Sequence, residues 1–383
     1  MVGKTVCKQT EVGEIPIDWD VKKLGEVTDK IIGGGTPSRG RKEYWNGNIP
    51  WVTVKDFATF NPYSTQEYIT IEGLRNSSSN LIPKNTIITP TRMGLGRANV
   101  YKVDVSINQD LKAIFPSAHI DPSFLLKWFQ YSSKNIEKLG SGSTVMGISL
   151  TDLRDIVLPI PPYLEQTAIA EALSDMDALI TQTEKLIEKK KAIKQGVMQE
   201  LLKPKEGWVT KKLGDISIIH TGKKNNEEKN DEGAYPFFVR SQNVERINTF
   251  SFDGEAILIP GEGNIGKIFH YINGKFDFHQ RVYKVSNFPS QVYGKYVYLY
   301  LKENFGKYAL SNTVKATVDS LRLPTFLEFG VPLPKDFNQQ KKIAEIVFDI
   351  EDEISRFESK LKKLKLQKQG MMQALLTGKI RLV

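Results

Sequence analysis

The chain has 383 residues, 40% apolar and 25% charged, with one cysteine. At roughly 150 residues per domain, that length predicts two or three domains with real cores, and the composition excludes a largely disordered chain. The single cysteine excludes an internal disulfide or a zinc site built on several thiolates, and 53 Lys and Arg against 44 Asp and Glu leave a net +9 that suits a polyanionic partner.

In chain order the sequence divides into five segments. Residues 1–15 are a short lead whose first ten (MVGKTVCKQT) lack the apolar core of a signal peptide, so a cytoplasmic location is expected. Residues 16–162 mix strand-like runs over 49–54, 86–89 and 99–105 with turn-rich loops and a helix over 122–139. Residues 163–203 contain no proline and a single glycine, Gly196, and read as one long helix. Residues 204–334 repeat the first pattern, with strands over 237–239, 256–259 and 267–272 and a helix near 291–304. Residues 335–383 form a second long helix and a short end. No run of about 18 uncharged apolar residues occurs, so no membrane span is expected.

The second half restates the first. Trp19-Asp20-Val21-Lys22-Lys23-Leu24-Gly25 returns as Trp208-Val209-Thr210-Lys211-Lys212-Leu213-Gly214, and Ser143-Thr144-Val145 through Pro161 returns as Ala316-Thr317-Val318 through Pro334. Ile169-Ala170-Glu171 matches Ile343-Ala344-Glu345, and Lys194-Gln195-Gly196 matches Lys368-Gln369-Gly370, at a spacing of about 173 residues. Between these anchors the copies diverge around a skeleton: Ile49-Pro50-Trp51 against Tyr235-Pro236-Phe237, Leu95-Gly96-Arg97 against Ile265-Gly266-Lys267, and Asn108-Gln109-Asp110 against His279-Gln280-Arg281. Matching ends with different middles suggest one scaffold presenting two different surfaces.

Both long helices carry heptad stripes. The first is assigned Ile169, Ala172, Met176, Leu179, Leu186, Ile193 and Val197, and the second Ile350, Ile354, Phe357, Leu361, Leu364, Met371 and Leu375. The first helix passes from acidic to basic (Asp175 and Asp177 to Lys190 and Lys194), and the second, after opening with Lys341 and Lys342, does the same (Glu351 and Glu353 to Lys365 and Lys368), an order that favours antiparallel pairing. The helical segments carry 15 Lys and Arg against 14 acids, so nearly all of the surplus charge lies in the globular parts.

Those parts interleave basic, aromatic and amide residues in their loops. The candidates for touching nucleic acid are Ser38, Arg39, Arg41, Lys42, Arg92 and Arg97 in the first half, and Lys223, Lys224, Arg240, Gln242, Lys267 and Arg281 in the second. Arginine and glutamine make bidentate contacts to base edges, and lysine and serine suit phosphates. Enzyme motifs fail on inspection. The run from Gly261 to Lys267 follows a phosphate loop for seven positions, but Ile268 stands where Ser or Thr would hold Mg²⁺, so a strand-connecting turn is expected. Asn61-Pro62-Tyr63-Ser64 lacks the second proline of an amino-methyltransferase motif, and the histidines show no ligand spacing.

Taken together the chain resembles the specificity subunits of type I restriction–modification systems. The resemblance rests on Gly13-Glu14-Ile15-Pro16 through Leu24-Gly25, Gly34-Gly35-Thr36-Pro37-Ser38, Tyr44-Trp45-Asn46-Gly47-Asn48-Ile49-Pro50-Trp51, Ile107-Asn108-Gln109-Asp110, the Glu165-Gln166 and Gln339-Gln340 pairs, and Met372-Gln373-Ala374-Leu375-Leu376. It implies a mixed α/β fold of two similar target recognition domains separated by two long antiparallel coiled-coil helices with pseudo-twofold symmetry. Each domain would read one half of a split sequence in double-stranded DNA, and the helices would dock two modification (methyltransferase) subunits. It also implies that S-adenosylmethionine is bound by those partners, that ATP and Mg belong to restriction subunits, and that this chain holds no cofactor or metal and is not an enzyme. The second half departs at Thr221-Gly222-Lys223, where the Thr-Pro-Ser turn is missing, so the half-sites should differ. The alternative is a coiled-coil scaffold whose globular ends bind protein.

Overall fold

The computed structural model describes residues 6–140, 147–311 and 320–382. The repeated Ser143-Thr144-Val145 and Ala316-Thr317-Val318 lie outside the described residues. The chain forms two compact units, one of Met1–Thr183 with Lys360–Val383 and one of Glu184–Ser359.

In the first unit two small sheets carry the globular part. One runs in the order Thr28–Gly33, Leu111–Pro116, Ile87–Pro90, Asn99–Val100, all antiparallel. The other runs Glu67–Ile69, Trp45–Val52, Val105–Ile107, Leu81–Ile82, with Val105–Ile107 parallel to Trp45–Val52. Of the strand expected over 99–105, only Asn99–Val100 and Val105, the first residue of Val105–Ile107, lie in strands, and these belong to different sheets. Its middle is drawn off the ladder, because the Lys102 amide donates to Pro62 O at 2.7 Å and the Asp104 carboxylate accepts from the Lys84 amide at 2.8 Å. The helix Pro122–Glu137 starts where Asp121 accepts from the Ser123 and Phe124 amides and Pro122 takes the first turn. Its Phe124 and Phe129 are fully buried with Trp19, Leu24 and Leu158, and Leu173 and Leu376 close the same core.

The second unit gathers the same parts into one six-stranded sheet, ordered Ile218–Thr221, Val282–Ser286, Phe252–Pro260, His270–Phe278, Tyr235–Phe238, Val244–Ile247. Tyr235–Phe238 lies parallel to His270–Phe278 and the other pairings are antiparallel. The helix Gly294–Ser311 covers it through Tyr296, Leu301 and Phe305, all fully buried. Each unit is thus a mixed α/β body, and each adds a two-stranded clasp, Asp20–Lys23 with Val157–Ile160 and Val209–Lys212 with Gly330–Leu333.

The long helices are Tyr163–Leu201 and Phe337–Leu375, 39 residues each, or about 58 Å at 1.5 Å per residue. Along the second helix the expected stripe is the buried one, with Ile354, Leu364 and Leu375 at 4–6% exposure. Along the first, half of the stripe shifts by one residue. Leu173, Ile180 and Ile187 are buried, whereas Leu179 and Ile193 stand 37% and 43% exposed. Two neighbouring columns of this helix are almost equally apolar, and the column ending in Lys194 is the one that turns inward.

Charged side chains repeat between the units as faithfully as the cores. Asp177 accepts from Lys127 at 2.5 Å and pairs with Lys368 at 2.6 Å. At the corresponding place Glu351 pairs with Lys302 and Lys194, both at 3.1 Å. Burial alone would raise the pKa of both carboxylates, but the paired lysines hold them below the usual range. Two glutamines repeat as well. Gln166 donates to Pro161 O and His119 O and accepts from the Asp121 amide, and Gln340 donates to Pro334 O and Gln291 O and accepts from the Tyr293 amide.

Candidate nucleic-acid interface

One backbone frame is built in both units. In the first, the Asn108 amide donates to Val52 O at 3.1 Å and the Thr91 amide to Asp110 O at 2.7 Å. In the second, the His279 amide donates to Phe238 O at 2.9 Å and the Gly261 amide to Arg281 O at 2.8 Å. A glycine is required where a loop crosses this frame. A Cβ on Gly34 would fall 1.8 Å from Ile107 O, and one on Gly222 would fall 2.0 Å from Phe278 O. This close approach explains why Gly222 survives where the rest of the Gly-Gly-Gly run is lost. The phosphate-loop look-alike from Gly261 to Lys267 links the strands Phe252–Pro260 and His270–Phe278, as a turn should. Its Gly266 has φ +66°, and an added Cβ would meet Gly306 at 2.5 Å, so the turn packs against a helix and leaves no cradle there.

Different side chains hang on this common frame. In the first unit both Nη groups of Arg39 donate to Glu67. The guanidinium lies 3.8 Å from the Trp45 ring and 5.2 Å from that of Trp51. These bonds hold the Glu67 carboxyl below its ordinary pKa and the Arg39 guanidinium above its own. Arg92 faces Asp110 at 3.9 Å, and Thr36 donates to Gln109 at 2.6 Å. Thr36, Arg39, Lys55, Met93, Gln109 and Asp110 are among the residues lining an open hollow of about 240 Å³.

In the second unit Glu262 gathers Arg240 at 3.4 Å and Arg281 at 3.0 Å. Arg240, Ser241, Glu245, Glu262 and His279 are among those lining a hollow of about 400 Å³. Burial first, then Arg240 and Arg281, push the His279 pKa down, and its Nδ1 accepts from the Arg281 amide at 2.9 Å. In the repeat, Glu262 corresponds to Arg92 and Arg281 to Asp110. The two halves therefore carry the same ion pair with its signs exchanged.

The structure brings together some of the candidates and not others. Arg39 lines the first hollow and Arg92 faces its Asp110, while Arg240 lines the second and Arg281 reaches it through Glu262. Lys224 is tied to Glu228 at 2.7 Å on the neighbouring loop. Ser38, Arg41, Lys42, Arg97, Lys223, Gln242 and Lys267 are exposed on their own turns and line neither hollow. Sequence reading missed Glu67 and Glu262. Glu67 reaches Arg39 through the register that sets it opposite Trp51, which no linear spacing reveals. Among the described residues no helix is long and apolar enough to cross a membrane, and no group of three or more His, Cys, Asp or Glu is placed to hold a metal ion.

The family model of the type I restriction modification DNA specificity domain matches residues 16–195 and again 205–366. The chain belongs to that family. Each matched stretch of specificity domain contains one of the two hollows. The chain is similar to the MjaIX type I restriction enzyme specificity subunit of Methanocaldococcus jannaschii, 31% identical over 57% of this chain and 56% of that protein. It is also similar to the EcoR124I/EcoR124II specificity subunit of Escherichia coli, 34% identical over 43% of this chain and 41% of that one. These alignments thus span about half the length of the relatives they match. A crystal structure of a type I restriction-modification S subunit from M. genitalium has the same fold, with a TM-score of 0.64 and 19% identity over 94% of this chain and 96% of that one.

Proposed function

We propose that this chain is the specificity subunit of a type I restriction–modification assembly, a non-catalytic reader of a split sequence in double-stranded DNA. The observation that carries the reading is the doubled frame with exchanged charges, Arg92 facing Asp110 in one copy and Glu262 facing Arg281 in the other. A scaffold for two identical contacts has no need of that exchange, whereas two readers of different half-sites do. The exposed arginines at the hollows suit base edges and phosphates.

The long helices serve as an antiparallel coiled-coil spacer. Within the second unit the pairs Lys190–Glu353, Lys191–Glu358 and Lys194–Glu351 support that direction. The repeated surfaces suit two copies of one partner, here the modification subunits, which carry S-adenosylmethionine, while restriction subunits use ATP and Mg. The assembly works in the cytoplasm. The candidates that line neither hollow, Ser38, Arg41, Lys42, Arg97, Lys223, Gln242 and Lys267, contact phosphates along the approach, as does Lys224.

Selection from a pool of random duplexes by the full chain with its modification subunits tests this reading. Enrichment of two short half-sites around a fixed gap is expected, and binding should fall steeply with salt. Recovery of unselected DNA with a flat salt dependence would instead favour a protein-binding scaffold.

A further inference from the structure

The carboxylates opposite Trp51 and Phe237 occupy one and the same sheet position in the two units. Glu67 pairs with Trp51 across the strands, and Glu245 with Phe237. Each meets a cation, but of a different kind. Glu67 takes the two Nη groups of Arg39, whereas Glu245 lies 3.8 Å from the Lys229 ammonium. An ammonium is a point charge with rotating donors, and a guanidinium is a rigid plane whose donors come in pairs.

Two constraints fix that plane in the first unit: the two hydrogen bonds to Glu67 and the Trp45 ring 3.8 Å away. The Arg39 side chain is nevertheless 55% exposed. It forms the ridge between two hollows, one of about 240 Å³ and one of about 490 Å³ lined in part by Trp45, Asn46, Gln66 and Tyr68. Of five N–H donors Glu67 uses two, and among the described residues no group accepts from Nε. A second fork, Nε–H with an adjoining Nη–H, is left for an outside acceptor pair.

Guanine offers such a pair in the major groove, O6 and N7, whereas adenine sets a donor beside N7, thymine offers one acceptor and a methyl, and cytosine offers a donor. We infer that Arg39 reads a guanine in the half-site of the first unit, with Glu67 and Trp45 as positioning residues, and that the equivalent position of the second unit makes no such contact. Because the fork is already immobilised, little rotamer freedom is lost on binding. The inference rests on the DNA-reading proposal above.

The test uses the full chain with its modification subunits and a random duplex pool, comparing the unaltered protein with Arg39→Lys and Glu67→Gln. The unaltered protein should enrich a split motif with a guanine in one half. Arg39→Lys keeps the charge but not the fork, so it should lose that guanine preference by roughly tenfold to a hundredfold and keep every other base of the motif in both halves. Retention of the remaining bases of the same half also shows that the first unit of the variant folds. Glu67→Gln should blur the same position less. Replacing that guanine by 7-deazaguanine removes N7, and should weaken the unaltered protein about tenfold while leaving Arg39→Lys unmoved. If Arg39→Lys enriches the same guanine, the inference is overturned and the DNA-reading proposal stands. If the unaltered protein enriches no split motif, both fall.

Discussion

Removal of Arg381 should loosen the first unit. Its guanidinium bonds Asp18 at 2.7 and 2.9 Å and Glu165 at 2.6 and 2.7 Å. Glu165 is completely buried, and its other partner is Trp19 Nε1 at 2.9 Å. Taking one partner from a buried pair costs ~3–5 kcal/mol. The Asp18 arm is half exposed and adds little, and local relaxation brings the expected cost of Arg381→Ala to about 3 kcal/mol. For a unit of about two hundred residues, that lowers its melting transition by roughly 6–10 °C.

The repeat supplies the control, because the second unit has Gln339 where the first has Glu165. Glu165→Gln in the Arg381→Ala background should restore at least half of the loss, since no charge is left stranded. Thermal melts followed by tryptophan fluorescence report it directly. The bonds from Arg381 also hold the Asp18 carboxyl below its usual pKa. Its stabilisation is present above the unfolded value of about 4 and is lost as pH falls through the lower folded value, so the gap between the proteins should narrow in acid. A drop under about 2 °C for Arg381→Ala, or a double variant no more stable than the single, would refute the reasoning.

Three further outcomes are expected. Glu262→Gln frees Arg240 and Arg281 for phosphates, so the slope of log binding against log salt should steepen by about 1, and an unchanged slope counts against the pairing. Lys284 is 6% exposed, lies 3.4 Å over the Phe252 ring, and has its pKa lowered by burial, so the folded state disfavours its charged form below the unfolded pKa. Lys284→Met should therefore stabilise the second unit by about 1 kcal/mol at neutral pH, and the gain should vanish above about pH 10.5. Urea titrations at both pH values decide it, and destabilisation at neutral pH would show that the ring contact outweighs burial. Alanine at Gly34 or Gly222 drives a methyl into a strand carbonyl and should cost at least about 3 kcal/mol, measured by the same titrations. A loss below about 1 kcal/mol would mean that the loop moves aside.

The duplication, the α/β character and both long helices were legible because repeated anchors and heptad stripes are linear signals. The seam of the first helix was legible only in part. Ala172, Leu179, Leu186 and Ile193 are as apolar as Leu173, Ile180 and Ile187, and only packing chooses between the columns. The break between Val100 and Val105 has no linear signal, because the bonds that make it go to Pro62 and Lys84. At the candidate site the arginines were legible as types. Their carboxylate partners were not, because Glu67 is brought in by strand register and Glu262 was masked inside a look-alike of another motif.

The paired glutamines set a mechanical hierarchy. Gln166 and Gln340 are each 1% exposed and fasten the root of a long helix to its globular part through three bonds from an uncharged amide. Neither protonation nor counterions act on an amide, whereas the partly exposed lysine–carboxylate pairs along the helices weaken as salt rises. In a rising salt gradient the lysine–carboxylate pairs within each unit should weaken while each root stays seated. Within each unit, salt would then release the charged pairs before it releases either glutamine.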